Sequence, residues 1–280
     1  MARKIVITSG KGGVGKTTVC ANLGVKLANL GFKVALIDAD IGLNNLDVVM
    51  GIENKIMFDI SDVVSQKCRI KQALVQDERY PSLYVLPSSD FTFKEQINDL
   101  SFKSVIEMID PSFDYILIDC PAGIDGGFHR AVFSAREAIV VVTPHISSIR
   151  DAEKVLGFLG TYDLHSISLV INRVRGDMLL SGEIVSVEKI SESLSTGVLG
   201  VVPEDDALST LSSLGAFAYN TSGAKAFTIL AENLHNGTKK IYDCTNKYRG
   251  ILGTIKRNLR RKIWCKTTFK IWLIQNLKKY

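Results

Sequence analysis

The chain alternates between short apolar runs and longer segments in which apolar residues recur every three or four positions. Runs nearly free of polar residues lie at 5–8, 34–38, 83–86, 115–119, 138–143, 167–171 and 198–202. Strands of this kind are buried on both faces, as in a parallel sheet that is covered by helices. The pattern therefore predicts a doubly wound α/β fold, with a mostly parallel sheet and helices on both of its faces.

The segment between the first two predicted strands has the spacing of a helix. Val19, Leu23, Leu27 and Leu30 recur at helical intervals, and Gly31 stands where a helix commonly ends. Strand, glycine-rich loop, helix and strand form the βαβ unit of a doubly wound fold. Composition changes once along the chain, near residue 245, so we predict an α/β domain over 1–245 and a distinct tail over 246–280.

Composition narrows the class of protein. The 280 residues are 46% hydrophobic, which is enough to bury a large core. The five cysteines include no C-x-x-C pair, which argues for a reducing compartment and against both a disulfide framework and a zinc site. No apolar run reaches the roughly 18 residues of a transmembrane helix. Because the first strand is predicted to begin at Lys4, we expect no signal peptide.

Charge is unevenly distributed along the chain. Residues 247–280 contain eleven basic and no acidic side chains, so the tail carries +11. The other 23 basic residues (34 less 11) are outnumbered by 29 acidic ones, which gives the rest of the chain −6. An acidic body with a strongly basic tail predicts an anionic partner for the tail.

A glycine-rich loop follows the first predicted strand and opens the first predicted helix. It fits G-x-x-x-x-G-K-[ST] with Gly10, Lys11, Gly12, Gly13, Val14, Gly15, Lys16 and Thr17, and is followed by Thr18. In such a P-loop, backbone N–H groups surround the phosphates, the lysine meets the β- and γ-phosphates, and the hydroxyl ligates Mg²⁺. The loop predicts a P-loop nucleoside triphosphatase.

An acidic residue and a sharp turn follow the strand predicted at 115–119. Asp119 ends this strand and is expected at the edge of the sheet where ligands bind, where it would hold a magnesium-bound water. The turn from Cys120 to Gly123 is suited to sensing the γ-phosphate. Cys120 itself is interpreted as a small packing residue.

Several blocks of sequence resemble one family. They are 5–18 (IVITSGKGGVGKTT), 40–47 (DIGLNNLD), 121–124 (PAGI), 147–151 (SSIRD) and 200–205 (GVVPED). With Lys11 inside the loop, the chain resembles the deviant Walker A ATPases, and residues 2 to about 235 resemble the septum-site-determining MinD family among them. The P-loop alone does not separate this family from ParA-type partition ATPases, whereas the blocks at 40–47 and 147–151 do.

The resemblance implies roles for particular residues. Lys11 would reach the nucleotide of a partner protomer, and Asp38 and Asp40 would lie in switch I near Mg²⁺ and the attacking water. Asn172, Arg173, Pro203, Glu204 and Asp205 would form the two walls around adenine. Plainer interpretations stay open for three residues: Lys11 as a solvated charge, Asp40 as a helix cap and Asn172 as an ordinary loop residue.

The tail has the pattern of an amphipathic helix. Five aliphatic residues fall within an arc of about 120° on a helical wheel: Ile251, Leu252, Ile255, Leu259 and Ile263. Lys256, Arg257, Arg260 and Arg261 occupy the opposite side, a pattern typical of a helix lying in an anionic membrane surface. A surface helix packed on the domain and a nucleic-acid-binding tail remain alternatives. The chain continues beyond the usual end of such tails, through 269–280.

Taken with the resemblance, these features predict a Mg²⁺-dependent ATPase that dimerises on ATP binding and places the division septum. Its partners would be a MinC-type inhibitor and a MinE-type activator, on a surface near Asn45 and a helix predicted to start at Asp151. The alternative is a ParA-like DNA-partitioning ATPase, although no nucleic acid is expected. The protein would lie peripherally on the inner face of a bacterial cytoplasmic membrane, or in the stroma or on the inner envelope of a plastid.

Overall fold

The computed structural model of the chain describes residues 1–43, 45–88, 97–251, 253–255 and 257. Its strands are β1 Arg3–Thr8, β2 Val34–Asp38, β3 Val75–Gln76, β4 Leu83–Leu86, β5 Tyr115–Asp119, β6 Glu137–Val142, β7 Ser166–Val174 and β8 Val198–Pro203. The α-helices are α1 Lys16–Asn29, α2 Leu46–Met50, α3 Ile60–Val64, α4 Ile70–Ala73, α5 Asp99–Ile109, α6 Gly126–Phe133, α7 Ile146–Leu159, α8 Gly176–Leu180, α9 Val187–Ser193, α10 Asp206–Ser213 and α11 Ser222–Asn236.

The strands form one sheet in the order β3-β4-β2-β5-β1-β6-β7-β8. Pairing is parallel throughout except between β3 and β4, so the predicted mostly parallel sheet is confirmed. The strand order reverses at β1, which lies between β5 and β6, and this reversal opens a crevice at the carboxyl ends of the strands. Among the strands of the described residues, only the two-residue β3 was absent from the prediction.

Each face of the sheet is covered by its own layer of helices. On one face α1 and α11 pack together, and Leu23 and Phe227 are fully buried beneath them. On the other face Phe102 of α5 and Phe128 of α6 lie in a second apolar layer, which also includes residues of α7. Two such layers explain why most strand residues are apolar on both sides.

The two outer strands of the sheet have irregular or very short ladders. β3 contributes two residues at one edge, and β8 at the other has register shifts against β7. The Leu199 carbonyl of β8 accepts a hydrogen bond of 2.8 Å from the Asn233 amide on α11. Both edges are thus shortened, distorted or covered.

The chain leaves the domain through a segment that packs on it. Cys244 and Tyr248 are buried, and Gly176 lies so close to Cys244 that a Cβ there would be 1.9 Å from the Cys244 carbonyl oxygen. Gly250, Ile251, 253–255 and Arg257 are helical. Among the described residues, no helix is both long and apolar enough to cross a membrane.

Candidate nucleotide site

The predicted P-loop lies between β1 and α1, at the point where the strand order reverses. Gly13 and Gly15 have φ angles of 76° and 96°, a region that glycine adopts without the steric cost that a Cβ imposes. Lys16 begins α1 and is buried, whereas Lys11 is exposed. The two lysines therefore face different surroundings, one inside the loop and one on its solvent side.

The loop is held in place from two sides. On one side, the Asn172 amide at the end of β7 donates a hydrogen bond of 2.8 Å to the Val14 carbonyl. On the other, a Cβ built on Gly10 would lie only 2.1 Å from the Asp151 carbonyl oxygen of α7, so this packing requires glycine. Contacts from β7 and α7 thus fix the backbone of the loop.

Two aspartates stand side by side next to the loop. Asp38 ends β2 and Asp119 ends β5, and the two are partners in the register of these parallel strands. Both are buried. Burial raises the pKa of Asp119 to about 7, against the lowering effects of the Thr17 hydroxyl and of Lys16. Burial and the neighbouring Asp119 likewise raise the pKa of Asp38.

The site has a place for a divalent cation. Within the described residues, the buried Oδ1 of Asp119 has no hydrogen-bond partner, and the Thr17 hydroxyl lies near enough to this carboxyl group to lower its pKa. Two buried carboxyl groups with raised pKa values are stabilised by a cation, and oxygen ligands are those that Mg²⁺ prefers. No three His, Cys, Asp or Glu side chains of the described part converge as a complete metal site.

Asp38 and Asp40 make different contacts in the segment that the resemblance assigns to switch I. Asp38 accepts N–H donors from Asp40 at 2.9 Å and from Asn45 and Leu46, each at 3.3 Å. The last two donors belong to the start of α2, so Asp38 provides the helix-capping contact that the sequence left open for Asp40. Asp40 is half-buried, and its charge raises the pKa of Asp119.

The far side of the crevice contains a cavity of about 420 Å³ at the carboxyl ends of β6, β7 and β8. Residues from the P-loop, from the β6–α7 turn and from the predicted adenine walls line it: Lys11, Gly12, Gly13, Val14, Thr143, Pro144, His145, Ser147, Ser148, Arg173, Arg175, Met178, Ile184 and Glu204. The cavity borders the phosphate loop directly, which is the arrangement that a nucleotide requires.

Two predicted element boundaries are wrong: the end of β7 and the start of α7. Asn172 and Arg173 do not follow β7 but lie within it, because a register shift lets the ladder continue to Val174, and Arg173 has a φ of 57°. The helix expected to start at Asp151 begins at Ile146, after His145 in extended conformation, and Asp151 lies inside it.

In the second predicted adenine wall, Asp205 makes hydrogen bonds that hold the fold together. Asp205 caps α10 by accepting from Ala207 and Leu208 and also accepts from Gly223 at 2.8 Å. Burial raises the pKa of Asp205, but these hydrogen bonds outweigh it and leave the pKa below its ordinary value. Arg175, which was not among the predicted site residues, lines the cavity, pairs with Asp177 at 2.5 Å and approaches Glu204 at 3.7 Å. Its place just beyond a strand end, two residues after Arg173, was the available signal.

The tail prediction falls partly outside the described residues. Ile251 and Ile255 are 85% and 51% exposed, and Arg257 is half-buried. Leu252, Lys256, Leu259, Arg260, Arg261 and Ile263 lie outside the described residues. The amphipathic character of the tail therefore stays a prediction.

Comparison with known proteins agrees with this geometry. Residues 5–216 match the CobQ/CobB/MinD/ParA nucleotide binding domain family. The chain is 47% identical over 208 residues to the septum site-determining protein MinD of Synechocystis, covering 74% of this chain and 78% of that protein. It is 41% identical to a chain of the MinC:MinD cell division protein complex of Aquifex aeolicus, covering 85% and 97%, with a TM-score of 0.79. The septum site-determining protein MinD complexed with Mg-ADP from Pyrococcus horikoshii is 32% identical, covers 84% and 96%, and has a TM-score of 0.76.

The fold, the P-loop and these matches define a nucleotide-binding protein of the CobQ/CobB/MinD/ParA class. Within that class, the identities and coverage place it with the septum site-determining proteins, and the chain belongs to the MinD family.

Proposed function

We propose that this protein is an ATP-switched ATPase that places the division septum, and that Lys11 completes the nucleotide site of a second protomer. The observation that carries the proposal is the contrast between buried Lys16 and exposed Lys11 in one loop. Buried Lys16 neutralises the phosphates bound in its own loop. Lys11 is free to place a positive charge on a phosphoryl group bound by a partner, as an arginine finger does.

Four residues would bind Mg²⁺ or orient the attacking water. Thr17, Asp38 and Asp119 would hold Mg²⁺, directly or through water, and the ion would neutralise charge on the β- and γ-phosphates. Asp40 extends from the switch I segment that Asp38 anchors, and it orients the attacking water. The Mg-ADP bound by the relative from Pyrococcus horikoshii supports this choice of cofactor.

The tail would bind an anionic membrane surface peripherally, in a bacterium or in a plastid. The exposed Ile251 and Ile255 and the +11 charge of residues 247–280 support this role. When ATP joins two protomers, the second tail binds intramolecularly, so that membrane affinity rises without any new kind of contact. Hydrolysis separates the protomers and releases them from the membrane.

The membrane-bound dimer recruits a MinC-type division inhibitor and responds to a MinE-type activator. The MinC:MinD complex of Aquifex aeolicus supports the first partner. Exposed Asn45 and Ser147, which flank the nucleotide crevice, offer a surface that ATP-driven closure would reshape. A ParA-like DNA-partitioning role is less favoured, because the matches of high identity are to MinD proteins.

The experiment compares Lys16→Ala and Lys11→Ala in four assays: nucleotide binding, ATP hydrolysis, dimerisation and sedimentation with anionic vesicles. We expect Lys16→Ala to lose nucleotide binding. Lys11→Ala should bind ATP but lose dimerisation, hydrolysis and vesicle binding. Lys33→Ala, a change far from the loop, is the matched control. A monomeric Lys11→Ala variant with normal turnover contradicts the proposal.

A further inference from the structure

Arg79 lies in the connection between β3 and β4, away from the P-loop. Its side chain makes both hydrogen bonds and ring contacts. Its guanidinium group forms two hydrogen bonds with the buried Asp77 carboxylate, at 3.0 and 2.6 Å. The group also lies over the rings of Tyr80 and Phe217, 5.8 and 5.4 Å from their centroids. Pairing, stacking and burial of its partner together fix the orientation of the side chain.

The remaining donors of Arg79 join two helices. Nη2 donates to the Met50 carbonyl at the last residue of α2, and Nη1 donates to the Gly215 carbonyl just beyond α10. Gly51 and Gly215, which follow the two helices, contact each other in left-handed conformation, with φ angles of 64° and 63°. A Cβ on Gly215 would lie 2.5 Å from the Gly51 Cα. The carboxyl ends of α2 and α10 are therefore fastened together through one arginine.

The opposite ends of these helices reach the two halves of the nucleotide site. The first N–H groups of α2 donate to Asp38, whose other oxygen binds the backbone of Asp40. α10 begins directly after Glu204 and Asp205 of the predicted adenine wall. A shift at the shared end would therefore move the switch I segment relative to the base-binding wall.

We propose that Arg79 is a positioning residue for ATP hydrolysis, which sets the spacing between the switch I aspartates and the base-binding wall without touching the nucleotide. This inference rests on the proposed function. A lysine retains the charge but lacks the planar fork, so it cannot bond Asp77 and both carbonyls at the same time. Loss of the spacing should lower kcat more than it raises KM, because Asp40 is displaced while the P-loop contacts to phosphate remain.

The experiment measures ATP turnover, melting temperature and hydrogen exchange of α2 in Arg79→Lys. Displacements near 1 Å cost up to about 10²-fold in rate, so we expect kcat to fall at least about tenfold, with KM for ATP changing less than about threefold. Exchange of the α2 amides should become faster. Arg136→Lys is the matched control, because Arg136 pairs with exposed Asp163 far from this cluster.

A second variant leaves Arg79 in place. Gly215→Ala forces the two helix ends apart, and it should reproduce both the kcat loss and the faster α2 exchange. A lower melting temperature with wild-type kcat and wild-type α2 exchange in both variants would overturn the inference, since Arg79 would then support only the fold. If the wild-type protein does not hydrolyse ATP, the proposed function fails, and α2 exchange alone still decides whether Arg79 positions this helix.

Discussion

The contact between Gly10 and α7 gives a direct test of how tightly the phosphate loop is held. In Gly10→Ala the new methyl group would lie 2.1 Å from the Asp151 carbonyl oxygen and 2.3 Å from its carbonyl carbon. Carbon and oxygen approach no closer than about 3.3 Å even in a weak hydrogen bond. Either the loop or α7 must therefore move by about 1.2 Å, which is 3.3 less 2.1.

A displacement of this size lies in the range that disables an active site. Misplacement by about 1 Å can cost about 10²-fold in rate, which corresponds to ~2.7 kcal/mol of transition-state stabilisation. The cost in folding stability should be about 1–3 kcal/mol, as for other overpacked sites. We expect Gly10→Ala to fold, to melt at a lower temperature and to hydrolyse ATP about 10²-fold more slowly than the wild type.

Phosphate release in the presence of ATP, Mg²⁺ and anionic vesicles measures the turnover, and circular dichroism measures melting. Gly157→Ala is the control, because Gly157 lies on the same helix with nothing within 4 Å of its built Cβ. Since alanine is a better helix former by about 1 kcal/mol, this variant should be slightly stabilised and fully active. Wild-type turnover by folded Gly10→Ala would refute the view that α7 sets the position of the loop.

Other predictions concern the remaining parts of the site. Asp40→Ala should bind ATP but turn it over ~10²-fold more slowly, so that the protein accumulates on vesicles in ATP; normal release would contradict the role of Asp40. Asn172→Ala leaves the Val14 carbonyl without its hydrogen bond, so stability should fall by about 1–3 kcal/mol in denaturant titrations and KM for ATP should rise. Ile251→Glu combined with Ile255→Glu should abolish vesicle sedimentation while ATP binding in solution stays intact, and continued sedimentation would place the anchor elsewhere.

The fold was predictable because the sheet strands are continuous in hydrophobicity. Apolar runs at 34–38, 83–86 and 115–119 coincide with β2, β4 and β5, since these strands are buried on both faces. β3 was not predicted, because a strand of two residues is too short to show a periodic pattern of hydrophobicity. The end of β7 was not predicted correctly either. The ladder continues through a register shift against the neighbouring strand β8, and the sequence of β7 alone does not indicate that shift.

The geometry of the phosphate loop was easier to predict from the sequence than the contacts of the predicted base-binding residues. The glycines between Gly10 and Gly15 shape the backbone of the loop, and their positions can be read directly from the sequence. Asn172 was interpreted as a base contact, whereas the structure adds a hydrogen bond to Val14, a residue 158 positions away in sequence. Contacts over such separations depend on how strands are ordered in the sheet, and that order is not visible in local spacing.

The short or irregular edges of the sheet affect how copies of the chain can associate. A sheet with a long regular edge invites another chain to add a strand, and such addition continues without a natural stop. Here the ladder ends at the two-residue β3 on one side and at the shifted β8, with Asn233 bonded to its backbone, on the other. Growth by strand addition is thereby discouraged, which leaves the loops at the carboxyl ends of the strands as the surface for the proposed pairing. The ATP-dependent dimer proposed above would close there after two copies, whereas an assembly made at the edges would become a fibre.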